Sequence, residues 1–148
     1  VTSGLFDTLQ TSFNLVDQSA RTNLFADVEA NDMGLIVKRP IGNAVWGADA
    51  DPRPYEHIPE YTMEYTRRAR VMGEAGLLED DPNDRIRLAL GFTFAHPEVD
   101  VTIVGTQRPH HMKSNLEMVS EPLGVTEATV SDLHARWDKF AVGWEQRG

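Results

Sequence analysis

The order of three short apolar runs, each followed by sequence with helical signals, constrains this chain more than any other feature. Leu35-Ile36-Val37-Lys38 is closed by Arg39-Pro40, and Val101-Thr102-Ile103-Val104 by Gly105. Both runs are brief and β-branched, which suits strands of a parallel sheet covered on both faces. An earlier run from Leu9 to Leu15 reads as a third strand. The order β-α-β-α-β-α selects an α/β fold, because a crossover must carry the chain back between parallel strands.

The helices are read from their starts and stops. One is expected from Asn23 to Asn31, and another from Glu60 to Met72 with Arg67, Arg68 and Arg70 facing solvent. Asp81-Pro82-Asn83-Asp84 offers Asp81 as an N-cap and Pro82 as first helical residue. Ile86, Leu90 and Phe94 then recur at helical spacing until His96-Pro97, where His96 caps carbonyls. Pro109 opens a helix whose inner face would carry Met112, Leu116 and Val119. Thr126 caps a last helix with Val130, Leu133, Trp137, Phe140 and Trp144 along one stripe. Gly42 to Pro59, with Gly47, Pro52 and Pro54, is a long connection of the kind often kept for function. Trp46 within it either lines a pocket or packs.

Charge narrows the partners. A net charge of −9 argues against nucleic acid, whose phosphates would be repelled. No apolar run approaches the roughly 18 residues of a membrane span, so no membrane is expected. Cysteine is absent, which removes disulfides and thiolate metal sites and accords with a cytoplasmic setting. The histidines have no metal-like spacing, and adjacent His110 and His111 would point about 100° apart on a helix. Between Asp100 and Glu117 there is no acid, yet Arg108, His110, His111 and Lys113 fall there. Such an island suits a small anionic ligand, or is chance clustering on a solvated helix.

The segment from Ala95 to Leu116, with His96-Pro97, Val104-Gly105-Thr106 and a later Asn115, resembles the last strand and helix of the aldo/keto reductases. Phe6 to Leu15 looks like that family's sixth strand, and Gly34 to Ile41 like its seventh. The resemblance implies an α/β fold: the C-terminal part of a TIM (β/α)8 barrel, three parallel strands with flanking helices and a C-terminal helix. Residues 1–148 would form one partial oxidoreductase domain, strands six to eight. A complete barrel runs roughly 250 residues, and three strands of one would leave unpaired edges. The chain alone is therefore expected to fold poorly or self-associate.

A nucleotide phosphate needs backbone donors at a helix start, and Gly105-Thr106-Gln107 lies at such a junction. A tight strand-to-helix turn explains the same residues. By resemblance the cofactor is NADP(H) and the substrate a small carbonyl compound. Thr106, Gln107 and His111 would hold the 2′-phosphate region, with Gly105 letting the backbone approach and Arg108 nearby, and Asn115 the adenine. Relatives often place arginine at His111, and a neutral imidazole contributes less to a dianion. Gln10 would bind the nicotinamide carboxamide; as a buried amide it needs partners. Lys38 takes a ring-stacking position that is usually aromatic, and Arg39 lies beside the pyrophosphate, followed by Pro40 and Ile41 in the expected pattern. The catalytic tyrosine, lysine, aspartate and histidine belong to the first half of such a barrel, and none of Tyr55, Tyr61 or Tyr65 matches. A nucleotide-sensing subunit on the same barrel, and a small α/β module sharing only the turn, are the other readings.

Overall fold

The computed structural model describes residues 1–47, 50 and 53–147. Three strands, β1 (Thr8–Ser12), β2 (Gly34–Lys38) and β3 (Val101–Ile103), pair in parallel in the order β1-β2-β3. Leu9 lies opposite Leu35 and Thr11 opposite Val37, while Ile36 faces Val101 and Lys38 faces Ile103. Residues paired in parallel register share a face of the sheet. Leu35 and Val37 are completely buried, and Phe13 continues their face beyond the strand. On the other face Gln10 is exposed, and Val101 and Ile103 keep half of their surface. The make-up of β2 and β3 suits strands covered on both faces, but three strands by themselves leave one face uncovered. Among the described residues the sheet has one packed face and one open one.

The crossover from β1 to β2 contains α1 (Ser19–Asn23) and α2 (Phe25–Ala30); the one from β2 to β3 contains α3 (Glu60–Gly73) and α4 (Arg85–Phe94). The chain then forms α5 (Pro109–Val119) and α6 (Glu127–Phe140). The packed face centres on Phe13, whose ring meets Phe25 at 4.8 Å, Phe92 at 5.5 Å and His96 at 4.7 Å. Leu88 and Ala89 of α4, Ala69 and Met72 of α3, and Leu133 and Trp137 of α6 complete one continuous core. Gly91 permits close packing there, since a Cβ would stand 2.3 Å from Val125 Cγ2.

Several boundaries differ from expectation. The first strand ends at Ser12, and Asn14 and Asp17 instead form an isolated antiparallel bridge. The helix expected over 23–31 starts earlier and breaks at Leu24, whose φ of −131° leaves the helical range. Asp84, not Asp81, caps α4, accepting from the N–H groups of Ile86 and Arg87. Asn83 takes a φ of +56°, so a helix cannot run through it, and Asp81 closes a turn onto the Asn83 N–H. Thr126 caps α6 as expected. Met112, Leu116 and Val119 are exposed, and α5 buries none of its residues, because three strands leave no sheet beneath it.

The solvent-facing arginine cluster needs the largest correction. Arg68 is 1% exposed. Its guanidinium donates to Glu64 at 2.9 Å, to the Glu145 carbonyl at 2.5 Å and to the Val16 carbonyl at 3.4 Å, and it lies over the Trp144 ring. A planar group with five donors can be satisfied inside a protein where an ammonium cannot. Arg136 of α6 is buried the same way, binding the Met72, Gly76 and Leu77 carbonyls at the end of α3.

Candidate functional site

The turn from β3 into α5 is held by Thr106, whose hydroxyl accepts from the Arg108 N–H at 3.2 Å. Pro109 occupies the first turn of α5, and no side chain caps that helix start. An uncapped helix N-terminus carries partial positive charge. His111, Ser114 and Asn115, three and four residues apart, stand on one helix face. They line a cleft of about 470 Å³ with Gly105 and Thr106, opposite Ile41, Ala44 and Ile86. Asp84 also borders it, but its carboxylate is engaged in capping α4. Hydroxyl, amide and imidazole groups stand at a helix start, facing a wall that mixes Ile41, Ala44 and Ile86 with Asn43, Tyr61 and Thr62. The arrangement has the polar groups a phosphorylated nucleotide needs.

Five of the residues singled out from sequence, Ile41, Gly105, Thr106, His111 and Asn115, line this one cleft. Gln107 and Arg108 are exposed, between the Thr106 turn and Pro109, and are not among the residues lining the cleft. Pro40 is buried, its carbonyl accepting from Thr93. Lys38, half-buried, ends β2. Gln10 lies on the open sheet face, opposite Ile36, so the expectation that it is a buried amide is corrected. The connection after Ile41 buries Trp46 in the core, where it also borders a separate groove with Leu77 and Leu88. Pro52, named in that connection, lies outside the described residues.

Arg39 enters a different cleft, of about 350 Å³, lined by Tyr61, Glu64, Tyr65, Gln146 and Arg147. Tyr61 borders both spaces, so they adjoin. The wall formed by the tail is held from below. Gln146 Nε2 donates to Thr11 Oγ1 at 2.6 Å and to the Ser12 carbonyl at 3.1 Å, and the Arg147 N–H donates to Asp17 at 2.8 Å. Asp17 is fully buried, 3.6 Å from the Arg68 guanidinium. Burial pushes its carboxyl pKa up, against the opposing pull of the Arg147 N–H and Arg68. Tyr65, 3.5 Å from Asp17, is pushed up by burial and by that carboxylate. Hydrogen bonds from Arg67 first, then Arg68, hold Glu64 at about 2 against its desolvation.

Sequence reasoning missed this second cleft. Nothing in Gln146-Arg147 marks two polar residues near the chain's last position as the wall of a site. Asp17 is a lone acid ahead of α1 whose partner Arg68 lies on α3. Among the described residues no three His, Asp or Glu side chains gather as a metal would need, and no helix is long and apolar enough to cross a membrane. His110 and His111 stand with ring planes 78° apart.

No family model matches the sequence, and no curated protein matches it. Among solved structures, the chain is similar to the aldo-keto reductase AKR11C1 from Bacillus halodurans. The holo form superimposes with a TM-score of 0.62 at 15% identity, covering 87% of this chain and 42% of that one. The apo form gives 0.62 at 16% identity, covering 88% and 43%. The chain thus spans less than half the length of the reductase structures it matches. At such identity the likeness speaks for the fold: three β/α units of a (β/α)8 barrel of the aldo-keto reductase kind. The resemblance read from the sequence holds at that level.

Proposed function

We propose that this chain is the dinucleotide-holding part of an NADP(H)-dependent oxidoreductase of the aldo/keto reductase type, one that reduces aldehydes or ketones. The observation that carries the reading is the gathering of Ile41, Gly105, Thr106, His111 and Asn115 around one cleft at the start of α5. These residues come from two separate β/α junctions. In (β/α)8 barrels the phosphate site lies after the last strands, at their C-terminal ends. Thr106 and His111, with Arg108 close by in sequence, hold the 2′-phosphate, and Asn115 the adenine. Gln10 and Lys38 reach the nicotinamide from the open face. When bound, the dinucleotide supplies the hydride, and the protein's part is to bind and orient it.

No residue here is assigned as the catalytic acid. Tyr65 is buried against Asp17 with its phenol pKa raised, so it is a poor proton donor to a bound carbonyl. The acid and its partners are assigned to other strands of the barrel. The protein acts without nucleic acid or membrane, in the cytoplasm.

Titrating the full-length protein with NADPH and NADH, following nucleotide fluorescence, tests the reading. NADPH binds more tightly than NADH, and Thr106→Ala and His111→Ala narrow the difference. Equal affinity for both nucleotides would remove Arg108 and His111 from the 2′-phosphate.

A further inference from the structure

The resemblance sets Arg39 beside the dinucleotide pyrophosphate, yet the structure turns it into the neighbouring cleft. Its backbone has a φ of +56°, rare for a residue with a side chain. That conformation is held: the Arg39 carbonyl accepts from Asn14 Nδ2 at 3.0 Å and from the Gly42 N–H at 2.9 Å. Strained backbone sustained by its surroundings marks positions where side-chain direction matters.

Across the cleft lies Arg147. Its N–H is fixed to the buried Asp17 carboxylate and its carbonyl accepts from Arg39 Nη1 at 3.3 Å, and the residue lines the space. Two arginines therefore border one cavity. Among the described residues the one acid lining the cavity, Glu64, is already bonded by Arg67 through both carboxylate oxygens and by Arg68. Arg67 matches Glu64 and Arg68 matches the buried Asp17, which leaves Arg39 and Arg147 in excess among the described residues. Beneath the tail, Ser12 is 1% exposed and its hydroxyl has no hydrogen-bond partner among the described residues. Like charges gathered around a small concave space favour an anion, and guanidiniums match the planar fork of a carboxylate. A space of about 350 Å³ admits a small organic molecule and not a polymer.

We propose that the cleft between Arg39 and Arg147 binds the carboxylate of a small organic substrate, making the reduced compound a carbonyl acid. The proposal names the substrate class of the reductase reading and rests on it for the reaction, but not for the binding. Arg39 follows Lys38, and Gln146 bonds Thr11 and Ser12 just after Gln10. The cleft therefore stands beside the residues placed at the nicotinamide, and a short acid anchored there extends its other end toward that ring. The tail is then part of the site, placed by the buried Asp17–Arg68 pair.

Calorimetric titration of the full-length protein with succinate, and with its neutral diamide as control, tests this. Succinate binds and the diamide does not. Arg147→Gln and Arg39→Gln each weaken succinate by about tenfold or more, and saturating NADPH leaves succinate bound. Equal binding of the diamide, or unchanged succinate affinity in Arg147→Gln, overturns the proposal. So does competitive expulsion of succinate by NADPH, which returns Arg39 to the pyrophosphate. Failure to bind NADPH with succinate binding intact would instead remove the nucleotide reading alone. Should Arg39→Gln misfold, Arg147→Gln decides, since its side chain is exposed.

Discussion

The two edges of the sheet sit in opposite surroundings. From the end of β1 onward, every residue from Thr11 to Ala20 is buried, polar ones included. Around β3, no residue from Asp100 to Ala128 is buried. The first edge is sealed by α3, α6 and the tail, with Asn14, Asp17 and Gln18 bonded inside. The second carries the candidate nucleotide cleft on a strand and helix with little beneath them. Burial of apolar surface is the main stabilising term, so the resistance to unfolding resides at the first edge. Ligand-holding segments are commonly drawn from the less stable parts of a fold, and the β3–α5 unit fits that division.

The contrast is broken most directly at Arg68. Arg68→Ala leaves the Asp17 carboxylate buried without its counter-charge and removes donors from the Val16 and Glu145 carbonyls. Removing one partner of a buried ion pair costs about 3–5 kcal/mol. Urea denaturation of Arg68→Ala should show a loss in that range and freer motion of the tail. A loss below about 1 kcal/mol would place Arg68 with ordinary surface pairs, and the first edge would no longer be the anchor.

What the sequence reveals divides along the same line. Short-range features are legible: the three strands, the Thr126 cap, the α6 stripe and the Gly105 turn each depend on neighbours within a few residues. Arg68 is not legible. It stands one residue from Arg67, and only the arrival of Glu145 and Asp17 from distant parts of the chain distinguishes the two. The α4 start fails for a local reason, because Asp81 and Asp84 both qualify as caps and the left-handed Asn83 decides between them. Met112, Leu116 and Val119 show the reverse error. Their spacing predicts an inner face, but spacing cannot say whether anything lies opposite. The second cleft was hidden because its walls, Arg39 and Arg147, are 108 positions apart.

A smaller effect comes from the histidines behind the first edge. His96 Nδ1 lies 2.8 Å from the Phe92 carbonyl, which can only accept, so that nitrogen carries the proton. His96 Nε2 then accepts from His134 Nε2 at 3.0 Å, and both rings are neutral. Desolvation, then Arg21 and His96, lower His134 to about 4, and burial lowers His96. As pH falls below the ordinary histidine value of 6.5, the unfolded chain takes up protons that the native pair refuses. Stability is therefore lost on going from 6.5 toward 4. The raised carboxyl of Asp17 acts with the opposite sign above its ordinary 3.8, so the test is a difference. His134→Gln should flatten the pH dependence of the denaturation midpoint, the Asp17 contribution being common to both proteins. Parallel pH profiles would show that the pair does not titrate as its surroundings require.

The smallest expected effect tests the open edge itself. Leu116 of α5 keeps 61% of its surface, whereas Leu133 of α6 keeps none. Both are leucines in the interior of a helix, so Leu→Ala changes intrinsic helix propensity almost equally in the two. Leu133→Ala should cost about 2–5 kcal/mol, as for other buried leucines. Leu116→Ala in the 148-residue chain should lie within about 0.5 kcal/mol of zero, as for surface substitutions. The same pair of substitutions in the full-length protein makes the comparison sharper. If further strands of a barrel bring packing onto α5, the Leu116→Ala loss rises toward that of Leu133→Ala while the latter stays put. If it remains near zero there as well, the nucleotide cleft is carried by a helix that no other part of the protein supports.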